Sequence, residues 1–376
     1  MIHDGASGQA RTQDTSDPAA PVERIRREVV SHSGRLLGYF VRWIPPEETH
    51  PIPSPIFMTD IRIAKPLGVP ATGELRFLPE GPYAIGDSRF SWVGIQHGPL
   101  ARVGSLNLYD FQSDVNRSFD LPGRPGFAFP CSGDERFVVG CERAIGFYDP
   151  KSRQWTELCG GIDEDVDNTI INDAMVHGDN LIFGTKDLEF ANQKAGLYLY
   201  RGRDGRLIRL RDDQICSNGK AIRRGPDGDL RLIDIDSPTR RVVSYPLDID
   251  NATLGDPEIL LDLRDDPAVP DGAILTPDRQ QLIVSMFLPK AAEYGETRLY
   301  DLASRHLQTV WQTPGSPQNT CPALVRHENK VCLIITTALE NMNAQDQAAC
   351  PNAGLLFLGE TDFDAESFQL PPTFDA

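Results

Sequence analysis

The chain has 376 residues, of which 37 are basic and 54 acidic, giving a net charge of -17. Charge of that sign repels phosphate backbones and anionic lipid headgroups, which excludes nucleic acid and membrane surfaces as natural partners. Hydrophobic residues make up 40%, enough for a large core, while no run approaches the roughly 20 apolar residues that span a bilayer.

Residues 1–21 are rich in Ser, Asp, Ala, Gln and Pro and lack the basic stretch and apolar run of a secretory leader, so they read as a disordered tail. The seven cysteines form no CxxC pair and are scattered through apolar segments, the pattern of reduced thiols in a cytoplasmic protein. Residues 22–67 form an N-terminal extension. Within it, VERIRREVV (22–30) fits two turns of helix or a strand, and the extension fits a lid over the channel mouth or, by its Pro-rich stretch 44–55, a surface-hugging linker, the latter favoured. IRIAKPL (61–67) reads as a further strand.

From there on, short β-patterned runs alternate with Gly, Pro, Asp and Asn clusters. Six apolar runs end in an aromatic, at Tyr109, Tyr148, Tyr200, Tyr245, Tyr300 and Phe357, with spacings of 39, 52, 45, 55 and 57 residues. A second series of acidic turns, at Asp87, Asp134, Asp179, Asp227, Asp278 and Glu328, is spaced by 47, 45, 48, 51 and 50. Two independent series near a period of 48, built from strands alone, predict an all-β, six-bladed β-propeller over residues 68–365. Strand 61–67 is expected to pair with the last blade and close the ring, and residues 366–376 are left as a C-terminal tail.

The repeat register points to a site. Seven residues before five of the acidic turns stand Glu80, Phe127, Asn172, Asp271 and Cys321; in the fourth blade, whose turn is longer, the matching residue is Asn218, nine before Asp227. Four blades thus aim an oxygen-bearing side chain at one end of the channel. Carboxylates converging there repel one another unless a cation lies between them, so the propeller is expected to hold a central metal site. Glu80 and Asp271 would neutralise a divalent ion, and the carboxamides of Asn172 and Asn218 would add oxygen ligands. An all-oxygen set suits Ca²⁺, Mg²⁺, Mn²⁺ or Fe²⁺, with Zn²⁺ also admitted.

The string EGPY at Glu80, Asn172-Asp173 followed by VHGDNLIFGT, SNG at Asn218, VPDG at Asp271 and TCPAL near Cys321 resemble, in that order, the motifs of the gluconolactonase and regucalcin (senescence marker protein) family. The resemblance implies a six-bladed propeller with one divalent metal in its channel and hydrolysis of a small, polar sugar lactone. It implies Glu80, Asn218 and Asp271 as metal ligands, Asn172 as a group holding substrate or a metal-bound water, Asp173 beside it, and Asp271 doubling as general base. The chain departs from the pattern at Ile170, where family members often carry Arg, at Tyr83-Ala84 after the EGP string, and at Gly94, where Asp is frequent.

A GxSxG elbow, a P-loop and a dinucleotide-binding GxGxxG are all absent. Beside the lactonase stand two alternatives: another metal-centred reaction on the same scaffold, such as phosphotriester hydrolysis or lactone isomerisation, and a non-catalytic calcium-binding propeller. DEDVD (163–167) reads as an exposed acidic loop rather than a second calcium loop. The sequence sets no oligomeric state.

Overall fold

A computed structural model describes residues 59–225 and 227–376. Readings of residues 1–58, the tail and most of the extension, lie outside the described residues. The described chain forms six antiparallel sheets arranged as the blades of a propeller. Their innermost strands are Pro79–Gly86, Pro125–Pro130, Thr169–His177, Ser217–Arg224, Val269–Leu275 and Asn319–His327. Each contacts the innermost strands of both neighbouring blades, the sixth meeting the first.

Every acidic turn of the sequence falls in the hairpin between the first and second strands of a blade, and every periodic aromatic falls on the third. All six aromatics are buried. They are the large side chains that fill the space between adjacent sheets: Tyr148 packs in one inter-blade cluster with Val93 and Leu106, and Tyr200 in the next with Phe183 and Ile145. Helix is scarce, with one short α-helix, Ala344–Ala349, among the described residues. No described helix is long and apolar enough to cross a membrane.

The ring closes differently from the single strand expected at 61–67. Lys65–Pro66 pairs antiparallel with Phe357–Glu360 as the outer edge of blade six, while Asp60–Ile63 runs parallel to Leu307–Pro314 on blade five. Pro66 lacks an N–H and can sit only at such an edge, which keeps this pairing short. Ala64 is the corner between the two: its N–H donates to Gln312 O at 2.8 Å and its methyl is buried beside Trp311 and Phe357.

The C-terminal segment is pinned along the ends of the inner strands farthest from their starts. Arg326 of blade six donates to the carbonyls of Ala365 and Phe368, Tyr83 of blade one donates to Pro372 O, and Phe374 forms a backbone bridge with Cys131 at the end of blade two. Asp375 N reaches Gly178 O beyond blade three, and the Phe374 ring is buried with Cys131 and Tyr200. DEDVD is an exposed acidic loop over Glu164, Asp165 and Asp167, except at its first residue: Asp163 is buried and accepts the Tyr198 hydroxyl at 2.5 Å, while the exposed Asp165 pairs with Arg209. All seven cysteines are free thiols, six of them buried.

Candidate active site at one end of the channel

In all six inner strands the antiparallel register slips just after the strand begins: between Glu80 and Tyr83, Pro125 and Phe127, Ile171 and Ala174, Asn218 and Ala221, Pro270 and Ala273, and Asn319 and Pro322. A β-bulge re-aims the side chains around it, and a ring of six such bulges turns one layer of residues toward the channel. Every residue that the sequence register selects lies in or beside a bulge. Close approach is part of the design: Gly219, at φ +47°, would put a Cβ 2.8 Å from the backbone oxygen of Asp271. Only glycine tolerates both that conformation and that neighbour.

Asp271 is 8% exposed and its Oδ1 is sealed from solvent without a hydrogen-bond partner. Enclosure holds its carboxyl well above the usual carboxylate range, and the charges of Glu80 and Asp173 push it further in the same direction. Glu80 is raised for the same reasons, burial first and then Asp173, against one hydrogen bond from Gly81 N to its Oε2 at 3.1 Å. Asp173 is raised by burial although the Lys220 charge and the N–H groups of Ala174 and Gly219 oppose it. The Cys321 thiol, from blade six, is pushed up by burial and by all three acids. Glu80, Asp173, Asp271 and Cys321 therefore occupy one electrostatic neighbourhood.

The two carboxamides are joined. Asn172 Nδ2 donates to Asn218 Oδ1 at 2.7 Å and to Ser217 O at 3.0 Å, and Asn218 Nδ2 donates to Ser237 Oγ at 2.9 Å. Those bonds orient both side chains and leave Asn172 Oδ1 without a donor among the described residues. Phe127, the blade-two member of the register, is buried in the core and stacks on Phe129, so this blade brings no polar group.

Sequence reasoning missed the cations. Lys220, inside the blade-four bulge, is buried and bonds Ser217 Oγ at 2.8 Å, with Asp234 Oδ1 at 3.4 Å. Lys186 is the penultimate residue of the second strand of blade three, opposite Ile170, and its charge acts on Glu80, Asp271 and Cys216. The signal was a lysine closing LIFGTK, a run whose other members are all buried.

The donor set fits a divalent cation. Glu80 and Asp271 would offer carboxylate oxygens and Asn218 a carboxamide oxygen with a second lone pair, and the orphaned Asp271 Oδ1 is the kind of buried acceptor that a hard cation satisfies.

Comparison with known proteins bears on the family and the fold. The chain is 26% identical over 290 residues to the "Putative sugar lactone lactonase YvrE" of Bacillus subtilis, covering 75% of this chain and 91% of that one. Its fold superposes on a calcium-binding regucalcin from Agrobacterium tumefaciens with a TM-score of 0.70 at 20% identity, over 85% of this chain and 99% of the other. It superposes on a gluconolactonase from Xanthomonas campestris with a TM-score of 0.55 at 15% identity, over 80% and 90%. Residues 78–339 match the family described as the SMP-30/Gluconolactonase/LRE-like region. The chain belongs to the SMP-30/gluconolactonase/LRE-like family.

Proposed function

We propose that this protein opens the ring of a sugar-acid lactone by metal-dependent hydrolysis. The observation that carries the reading is Asp271 Oδ1, a sealed carboxylate oxygen without a partner, set among Glu80 and Asp173 where six bulges converge. Glu80, Asn218 and Asp271 would hold the ion, with Asn172 adjoining. When bound, a divalent cation polarises an ester carbonyl as a Lewis acid. Asp271, beside the ion, takes the proton from the attacking water as general base. The bond from carbonyl carbon to ring oxygen breaks, that oxygen takes up a proton, and an open-chain hydroxy acid leaves. Asn172, through its free Oδ1, and Asp173 seat the sugar hydroxyls.

The test is proton release from a panel of aldonic and aldaric lactones, corrected for spontaneous opening, after chelation and after return of Ca²⁺, Mg²⁺, Mn²⁺, Fe²⁺ or Zn²⁺. Turnover that disappears with chelator, returns with metal and is missing in Asp271→Ala is the expected result. Metal binding by calorimetry with no rate above background across the panel would overturn the reading and favour a calcium-binding propeller.

A further inference from the structure

Lys186 is 6% exposed, yet its ammonium makes no ion pair and no hydrogen bond among the described residues. Unlike Asp271 Oδ1, its Nζ is not sealed from solvent. A buried ammonium without a contact ion pair is costly, and proteins normally set a carboxylate directly against it. Lys220 shows the normal solution one blade away, paired with Asp234 and bonded to Ser217 Oγ and Asn218 O. Lys186 belongs to the same end of the channel as Glu80 and Asp271, on which its charge acts, and its backbone bridges to Cys216 beside Asn218.

We propose that Lys186 is a specificity-determining residue that binds a free carboxylate on the substrate, so that the preferred lactone is that of a dicarboxylic sugar acid. This rests on the lactonase reading and narrows it. Opening such a lactone consumes one ester and leaves the second carboxylate unchanged, held by Lys186 before and after the reaction. A monoanion matches the single charge of the Lys186 ammonium. A phosphate dianion would need a second cation among the acids Glu80, Asp173, Asp271 and Glu340, and Lys220 is already committed to Asp234.

The experiment compares the wild type, Lys186→Met and Lys186→Arg with restored metal, on a monolactone of a six-carbon aldaric acid and on the δ-lactone of the matching aldonic acid. In the wild type the ratio of kcat/KM for the acidic over the neutral lactone is expected above tenfold. It should fall at least tenfold in Lys186→Met and be largely kept in Lys186→Arg. Calorimetry with the open-chain aldarate and aldonate gives the same comparison without turnover. A ratio unchanged in Lys186→Met overturns the inference and leaves the lactonase reading intact. No lactone opening by any protein, with aldarate still bound at least tenfold more weakly by Lys186→Met, overturns the lactonase reading and upholds Lys186 as the carboxylate site. If aldarate and aldonate bind alike to every protein, the inference fails. Circular dichroism checks folding, and Lys186→Gln replaces the methionine variant if that one does not fold.

Discussion

Asp187 and Asp271 are two buried aspartates at the same end of the propeller, finished in opposite ways. Asp187 closes the second strand of blade three, and its oxygens accept from the N–H groups of Glu189 at 3.1 Å, Ala191 at 3.2 Å and Asn192 at 2.9 Å, with Lys194 Nζ at 3.1 Å. Burial alone would raise its proton affinity, but those donors outweigh burial and hold the carboxyl at about 2. Asp271 has the burial without the donors, and stands high. On the proposed reading the difference separates a structural acid from a functional one: Asp187 has its lone pairs consumed by the protein and fixes the loop at residues 188–194, whereas Asp271 keeps an unpartnered acceptor.

The strongest way to break this contrast is Asp271→Ala, which should lower lactone opening by about a thousandfold through loss of base and ligand together. In chelated protein the same change should raise the melting temperature, because it removes a buried carboxylate oxygen that nothing satisfies; thermal unfolding with and without metal checks both parts. Asp187→Ala should behave in the reverse sense, costing about 2–4 kcal/mol in denaturant unfolding as several donors lose their acceptor. Gly219→Ala tests whether the bulge geometry matters. A methyl 2.4 Å from Ile235 Cδ1 and 2.8 Å from Asp271 O should cost about 1–3 kcal/mol and weaken metal affinity measured by calorimetry.

The smallest effect is in acid. Because the folded-state value of Asp187 lies below its unfolded value, its contribution to stability is complete above about pH 4 and is lost as pH falls through about 2. Asp187→Ala should therefore flatten the loss of stability over that window, read from urea midpoints at successive pH values. An equally steep acid limb in the variant would show that other carboxylates carry it.

The blade count was legible because two features with separate physical causes kept one period. The aromatics at Tyr109 through Phe357 fill the space between sheets, and the acidic turns close the first hairpin of each blade. The equivalence of the candidate residues was legible from the same register, since Glu80, Asn172, Asn218 and Asp271 hold corresponding positions near the starts of inner strands. Lys186 was not, because a lysine at the end of a strand reads as exposed until a neighbouring blade covers it. Nor was the anchoring of Phe374, whose partners Cys131 and Tyr200 are far away in sequence.

Local chemistry thus determined the strands, the turns and the kinds of donor offered, since these depend on residue type and period alone. Tertiary structure decided the rest. It split residues 60–66 between two blades, because Pro66 can sit only at an edge and Ala64 only at the corner. It decided which of the chemically similar acids are satisfied, because an N–H donor for Asp187 and the lack of one for Asp271 depend on which backbone happens to pass each carboxylate. And it decided which lysine is spent and which is left open, because the pairing of the first two strands of blade four sets Lys220 on Asp234, while Lys186 of blade three bridges to Cys216 through its backbone and its ammonium meets no carboxylate among the described residues.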